Sequence, residues 1–339
     1  MSQPNRYISL DVARGSAIVI MVIAHLSIPN EVTEYSRALA SPFFLIVAGI
    51  SYGLFLENRT KISANRRRVF AEVISRGAIL SLITLLPSIL GSTLYPEHYR
   101  GISIWNVFQV ISVGYVVGYF LSWRGILPAL AIPVVFLAHF VGSVVLHLGF
   151  LEMGLFPVVP YVAYFFVGQF MSGALYIATP SRNVIKSIAV VALLLDIFLI
   201  ALYSTGGVAL DKALQDSPEG FALIACLQLS LLTCLILLDN SKTRLANLLG
   251  PIEGIGRIAF TAYYVHLLLV AVTLEVAVAS VGSPLPSLLL PILVLANVAV
   301  LSLVEMVWRK WNYRYGVEWI LRRGATILVS RFPTLLASG

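Results

Sequence analysis

The first apolar run of this 339-residue chain contains Leu10-Asp11-Val12-Ala13-Arg14-Gly15 and ends in Met21-Val22-Ile23-Ala24-His25. Ionisable groups inside such a run are costly, so each is a candidate for chemistry. Arg14 and His25 are eleven positions apart, which on a helix puts them on nearly one face and roughly 16 Å apart along the axis. A neutral imidazole takes a proton near neutral pH, so His25 is suited to act as general base on a hydroxyl or amine in acyl transfer; a packed, hydrogen-bonded histidine is the plainer reading. Asp11 precedes Arg14 by three residues, close enough for an ion pair. That pair either supports a site or simply neutralises itself at a membrane boundary.

A second histidine stands in Gly256-Arg257-Ile258-Ala259-Phe260-Thr261-Ala262-Tyr263-Tyr264-Val265-His266. On a helix starting near Gly256, His266 falls about 15 Å in, near the bilayer midplane, with Tyr263 on an adjacent face. Asn106, Gln109, Asp196, Glu275 and Glu305 are further polar residues inside apolar runs, whereas His139 and His147 lack polar company and read as structural. Cys226 and Cys234 are eight residues apart, roughly 12 Å along a helix, too far to form a disulfide with each other. The histidines lack metal-ligand spacing, so no metal is expected.

These residues are embedded in a chain that is 59% hydrophobic and only 12% charged, with mean hydropathy +0.91. A soluble protein carries about 25% charged residues, so a water-soluble enzyme is excluded. The net charge of +7 does not indicate nucleic acid, because the basic residues lie between apolar runs and not on one stripe. The fold class expected is an all-α polytopic membrane helix bundle of about ten transmembrane helices. The spans fall near 8–29, 36–56, 70–92, 102–123, 126–149, 158–178, 186–204, 220–239, 256–280 and 286–308. Breaks are expected at Pro29-Asn30, in the loop from Glu57 to Arg68, and at Tyr95-Pro96-Glu97, Arg124-Gly125, Thr179-Pro180-Ser181, Asp211 to Glu219, Asp239-Asn240 and Gly282-Ser283-Pro284.

Lysine and arginine in the short loops set the orientation. With the N-terminus inside, 19 of the 23 fall on the cytoplasmic side, and only Arg37, Arg100 and Lys212 lie outside. Both termini are therefore expected in the cytoplasm. His25, about 26 Å into a hydrocarbon layer roughly 30 Å thick, then lies towards the outer face, and Arg14, about 9 Å in, towards the inner one. Asp11 and Arg14 in the body of the first run argue against a cleaved signal peptide. Residues 1–311 read as a single transmembrane domain, and 312–339 as a cytoplasmic tail whose Val317 to Arg323 stretch suits an interfacial helix. Ala48-Gly49, Ser112 and Gly114 permit close helix packing, and Pro42 in Ser41-Pro42-Phe43-Phe44 frees backbone carbonyls near the depth of His25.

The run from Leu10 through Arg14 to His25 resembles the first-helix signature of the transmembrane acyltransferase superfamily, in which a histidine follows an arginine after ten residues. That superfamily includes the acyltransferase-three sugar O-acetylases, heparan-alpha-glucosaminide N-acetyltransferase and YeiB-like proteins. Ser41 to Gly49 is similar to its second-helix motif, Gly256 to His266 to its late Tyr-x-x-His helix, and Tyr315-Gly316-Val317-Glu318-Trp319 to the YeiB-like ending, with valine at 317 where proline is usual. His25 follows the acyltransferase-three pattern; the heparan enzyme and many YeiB-like relatives carry asparagine there.

The resemblance implies transfer of an acyl group, acetyl from cytoplasmic acetyl-CoA, to a hydroxyl or amine of a glycan or amino-sugar acceptor at the outer face of the plasma membrane. His25, Arg14, Asp11 and His266 are then the expected catalytic set. Arg66, Arg67, Arg68 and Arg76, with Gln109 and Tyr263, are expected to hold the donor, although the arginine cluster equally serves the positive-inside bias. The partners are acetyl-CoA, the acceptor and membrane lipids, with self-association permitted and nucleic acid excluded. A secondary transporter, with Asp196, Glu275, Glu305 and His266 as a proton relay, is the rival reading, and an inactive scaffold that only binds a lipid or partner is a third.

Overall fold

The computed structural model describes residues 7–26, 28, 31–62, 65–94, 106–122, 126–145, 158–206, 218–239, 249–282 and 285–331. Every regular element among them is helical. The chain divides into two compact units, one of residues 1–44 and 180–319, the other of 45–179 and 320–339.

The first unit is organised around α1, Ile8–His25, an almost wholly apolar helix with Asp11 in its first turn, where a carboxylate favours the positive helix end. The same unit holds the start of α2 (Glu31–Ile62), α7 (Arg182–Gly206), α8 (Pro218–Asp239), the short α9 (Gly250–Arg257), α10 (Ala259–Val281), α11 (Leu290–Lys310) and the first residues of α12 (Val317–Arg331). Helix α1 packs against α8, α9, α10 and α11. The tightest of these contacts is glycine-made. A side-chain carbon on Gly15 would overlap the Ile252 carbonyl, and one on Gly256 would overlap the Asp11 carbonyl and crowd the Gly15 amide at 2.9 Å. The backbones of α1 and α9 therefore touch.

In the second unit the remainder of α2 is joined by α3 (Arg66–Leu94), α4 (Val107–Leu121), α5 (Leu127–His139) and α6 (Val158–Met171). Wider π-helical turns, Phe140–Val145 and Ser172–Ile177, follow α5 and α6. Gly49 and Gly168 again mark a close backbone crossing, here between α2 and α6. Helix α4 starts with a capping box: the Asn106 side chain accepts from the amides of Phe108 (2.9 Å) and Gln109 (3.4 Å), and the Gln109 side chain accepts from the Asn106 amide (3.1 Å).

Seven helices among the described residues are long and apolar enough to cross a membrane: 8–25, 31–62, 158–177, 182–201, 220–239, 259–281 and 287–310. Two of the ten expected spans correspond to shorter apolar helices, Val107–Leu121 and Leu127–Gly142. The span expected at 70–92 lies in α3, which opens with three arginines and carries Glu72 and Arg76. Three boundaries differ from expectation. The loop from Glu57 is helical as far as Ile62, because the Glu57–Lys61 ion pair (2.9 Å) and the Thr60 hydroxyl on the Leu56 carbonyl (3.0 Å) extend the turn. The span at 256–280 is broken at Ile258, whose backbone (φ −116°, ψ 32°) separates α9 from α10. The tail helix runs further, from Val317 to Arg331. Pro29-Asn30, Tyr95 to Glu97, Arg124-Gly125, residues 211–217, Asn240, Ser283-Pro284, Arg6, Arg100, Lys242, Arg244, His147 and residues 332–339 lie outside the described residues.

The glycine contact gives a direct test. Gly15→Ala is expected to lower stability by about 1–3 kcal/mol, the usual cost of forced overpacking. Gly250→Ala, whose added carbon meets nothing within 4 Å, is expected to be neutral. Thermal unfolding of the two purified variants in detergent distinguishes them.

Candidate functional site

Near the N-terminal end of α1, the Arg14 guanidinium bonds the Asp11 carboxylate at 2.6 Å. The Asp11 side chain is 2% exposed and that of Arg14 is 28% exposed. A carboxylate this buried stays charged only where a cation and hydrogen bonds compensate it. Because Gly256 lies on the Asp11 carbonyl, this pair sits directly beside α9.

Three turns on, His25 ends the helix. Its Nδ1 lies 2.8 Å from the Met21 carbonyl, and in α10 the Nδ1 of His266 lies 3.3 Å from the Ala262 carbonyl. A carbonyl only accepts, so Nδ1 carries the hydrogen in both neutral rings and Nε2 carries the basic lone pair. The two rings meet edge to face, 5.3 Å between centroids at 85°. His266 is fully buried and its Nε2 has no hydrogen-bond partner, whereas His25 is exposed. Tyr263 flanks His266 at 5.4 Å, and Phe44 of α2 packs at 5.9 Å against both Tyr263 and Phe260.

Neighbouring helices supply polar support. The fully buried Gln228 of α8 donates to the Phe43 carbonyl at 3.1 Å, one residue after Pro42, around which α2 continues without ending. Arg37 donates to the Ala24 carbonyl at 3.4 Å and pairs with Glu34 at 2.6 Å. Elsewhere in this unit Asp196 accepts from Ser230 at 2.6 Å, and Glu275 is exposed.

A second cluster surrounds the α9–α10 break. Glu305, 2% exposed, accepts from Arg309 at 2.6 and 3.2 Å and from the Tyr313 hydroxyl at 2.7 Å. Arg257 donates to Tyr313 at 3.3 Å and pairs with Glu253. Glu318 accepts from the amides of Phe260 (2.7 Å) and Thr261 (3.2 Å) and from the Thr261 hydroxyl (2.6 Å).

The other expected residues belong to the second unit. Arg66, Arg67 and Arg68 are exposed at the start of α3, where the Asn65 side chain accepts from the Arg68 amide at 3.2 Å. Arg76 is engaged by Glu72 at 2.9 Å and lies 4.1 Å over the Phe55 ring, and Glu72 also holds Arg59 at 2.9 Å. Gln109 serves the α4 capping box, with its Nε2 buried and unpartnered. The structure thus joins Asp11 to Arg14, His25 to His266, and His266 to Tyr263. Gln228 is not among the residues singled out from the sequence, although it is detectable there as a lone amide in an apolar run. Glu318 stands in the Tyr315 to Trp319 motif, but nothing local ties it to the start of α10.

Apolar spans built around buried ionisable side chains make this an all-helical membrane protein. The chain belongs to the acyltransferase-3 family: that family's acyltransferase domain matches residues 7–306, nearly the whole of it, and makes it a membrane acyltransferase. A search of curated proteins gives no match.

The burial asymmetry of the Glu305–Arg309 pair predicts unequal mutants. Arg309→Met leaves a buried carboxylate with Tyr313 alone and is expected to cost about 3 kcal/mol, while Glu305→Gln leaves an arginine that is 56% exposed and costs about 1 kcal/mol. Thermal unfolding of both variants reads the difference.

Proposed function

We propose that the protein transfers an acetyl group from cytoplasmic acetyl-CoA to a hydroxyl or amine of a glycan acceptor at the outer face of the plasma membrane. The single observation that carries this reading is the contact of His25 with His266, each ring held by its Nδ1–H and presenting Nε2 as base. His25, the exposed member, takes the proton from the acceptor hydroxyl as its oxygen bonds the thioester carbonyl carbon. The carbon–sulfur bond then breaks, and His25 returns the proton to the departing sulfur. His266, itself flanked by Tyr263, holds the His25 ring in place from α10.

Donor binding fits the residues present on chemical grounds. Arg66, Arg67 and Arg68 are exposed at a helix N-terminus, where backbone N–H groups and the helix dipole also favour phosphate. Arg76 contributes less, since Glu72 already neutralises it. Arg14, held to Asp11 along α1, is a guide for the pantetheine arm on its way to His25. The excess of basic residues in loops assigned to the cytoplasm supports this direction of entry.

Purified protein incubated with radiolabelled acetyl-CoA and a panel of amino sugars and glycans is expected to transfer label. His25→Ala is expected to reduce transfer by roughly a hundredfold or more. His266→Phe, which keeps a buried ring but no base, is expected to lower turnover without weakening CoA-dependent thermal stabilisation. Absence of CoA binding by the wild-type protein would sink the proposal.

A further inference from the structure

Helix α10 carries Tyr263 and His266, yet it lacks a cap of its own. Its N-cap residue, Ile258, has an apolar side chain and makes no capping hydrogen bond. The break at Ile258 also separates α10 from α9, so the first amides of α10 cannot bond an uninterrupted preceding helix. They are met instead by Glu318, 58 residues further on from Phe260.

The loop that brings Glu318 there is built for the purpose. Asn312, Tyr313 and Tyr315 take left-handed backbone angles (φ 52°, 55° and 67°), turning the chain back after α11. Gly316 passes so close to α10 that a side-chain carbon would stand 2.7 Å from the Thr261 hydroxyl oxygen and 3.2 Å from Nε1 of Trp308. The Val317 amide donates to the Thr261 hydroxyl oxygen at 2.9 Å, and that hydroxyl donates to Glu318 at 2.6 Å. On the other side of the break, the Tyr313 hydroxyl receives Arg257 at 3.3 Å and is itself anchored on Glu305 at 2.7 Å. One short segment therefore grips the last residue of α9 and the first turn of α10, with Ile258 between them.

We propose that Glu318 is a positioning residue of the acyl-transfer site: its carboxylate supplies the missing N-cap of α10 and so fixes the depth at which Tyr263 and His266 stand beside His25. The catalytic part of this proposal rests on the acyltransferase reading; the capping part does not. A carboxylate suits the place because it accepts several N–H and O–H donors at once and carries the sign the helix N-terminus favours. His266 is five residues past Thr261, little more than one turn, so a slip of the first turn reaches the imidazole directly.

Three measurements on full-length protein in detergent test it. In Glu318→Ala, hydrogen exchange at the amides of Phe260 and Thr261 is expected to rise roughly tenfold, as for loss of a helix cap. Modification of His266 by diethyl pyrocarbonate, low in the wild type because the ring is buried, is expected to rise severalfold while labelling of His25 stays the same. With acetyl-CoA as donor, kcat is expected to fall roughly tenfold to a hundredfold at unchanged KM, the effect of a misplaced group. Glu318→Gln keeps one acceptor oxygen for the two amides, is the milder variant for folding, and is expected to fall between wild type and alanine in all three. Unchanged amide exchange or unchanged His266 labelling in Glu318→Ala overturns the proposal, as does a raised KM with kcat intact. A wild-type protein that turns over no acyl donor overturns the acyltransferase reading, and the exchange and labelling results then decide the cap and its hold on His266 by themselves.

Discussion

Two backbones in contact organise the first unit. Gly15 of α1 lies on the Ile252 carbonyl, and Gly256 of α9 lies on the Asp11 carbonyl, an approach that any side chain at either position would prevent. Without water or a hydrophobic driving force between helices in lipid, such close approach is a main source of association, because it maximises dispersion contacts. It also decides where charge can sit. Asp11 and Arg14 occupy the helix turn beside this contact, so the ion pair is buried by the same packing that holds the helices together.

The polar residues of this unit follow a common pattern of internal compensation. Asp11 has Arg14, Glu305 has Arg309 and Tyr313, Asp196 has Ser230, and Glu318 has the start of α10. Each carboxylate in an apolar setting would otherwise cost several kcal/mol. His266 is one of several side chains here with a buried polar atom that lacks a hydrogen-bond partner, in its case Nε2, and the acid–base work proposed beside His25 would give that atom a use.

How far the sequence revealed these arrangements depended on range. The membrane class followed from composition, and Asp11 with Arg14 followed from a three-residue spacing on one helix. His25 and His266 were each recognisable by type, but their edge-to-face contact joins distant helices and no periodicity encodes it. Asn106 and Gln109 stand out in the sequence as polar residues in an apolar run, Gln109 as a candidate for holding the donor, although asparagine three residues before glutamine is also the pattern of a capping box, which is how they act. The break at Ile258 was hidden because Ile258 and Ala259 continue an apolar run, and local rules for helix starts look for a capping side chain immediately before the helix. Glu318 supplies that side chain from the far end of the chain, through a loop shaped by three left-handed residues.

The unequal exposure of the two histidines makes the pair one-sided. A polar molecule arriving from outside the packed helices can meet the ring of His25, whereas the fully buried ring of His266 stands behind it with Tyr263 at its flank. The pair thus works like a door with a fixed jamb: exchange with the surroundings belongs to His25, and His266 is the surface it closes against.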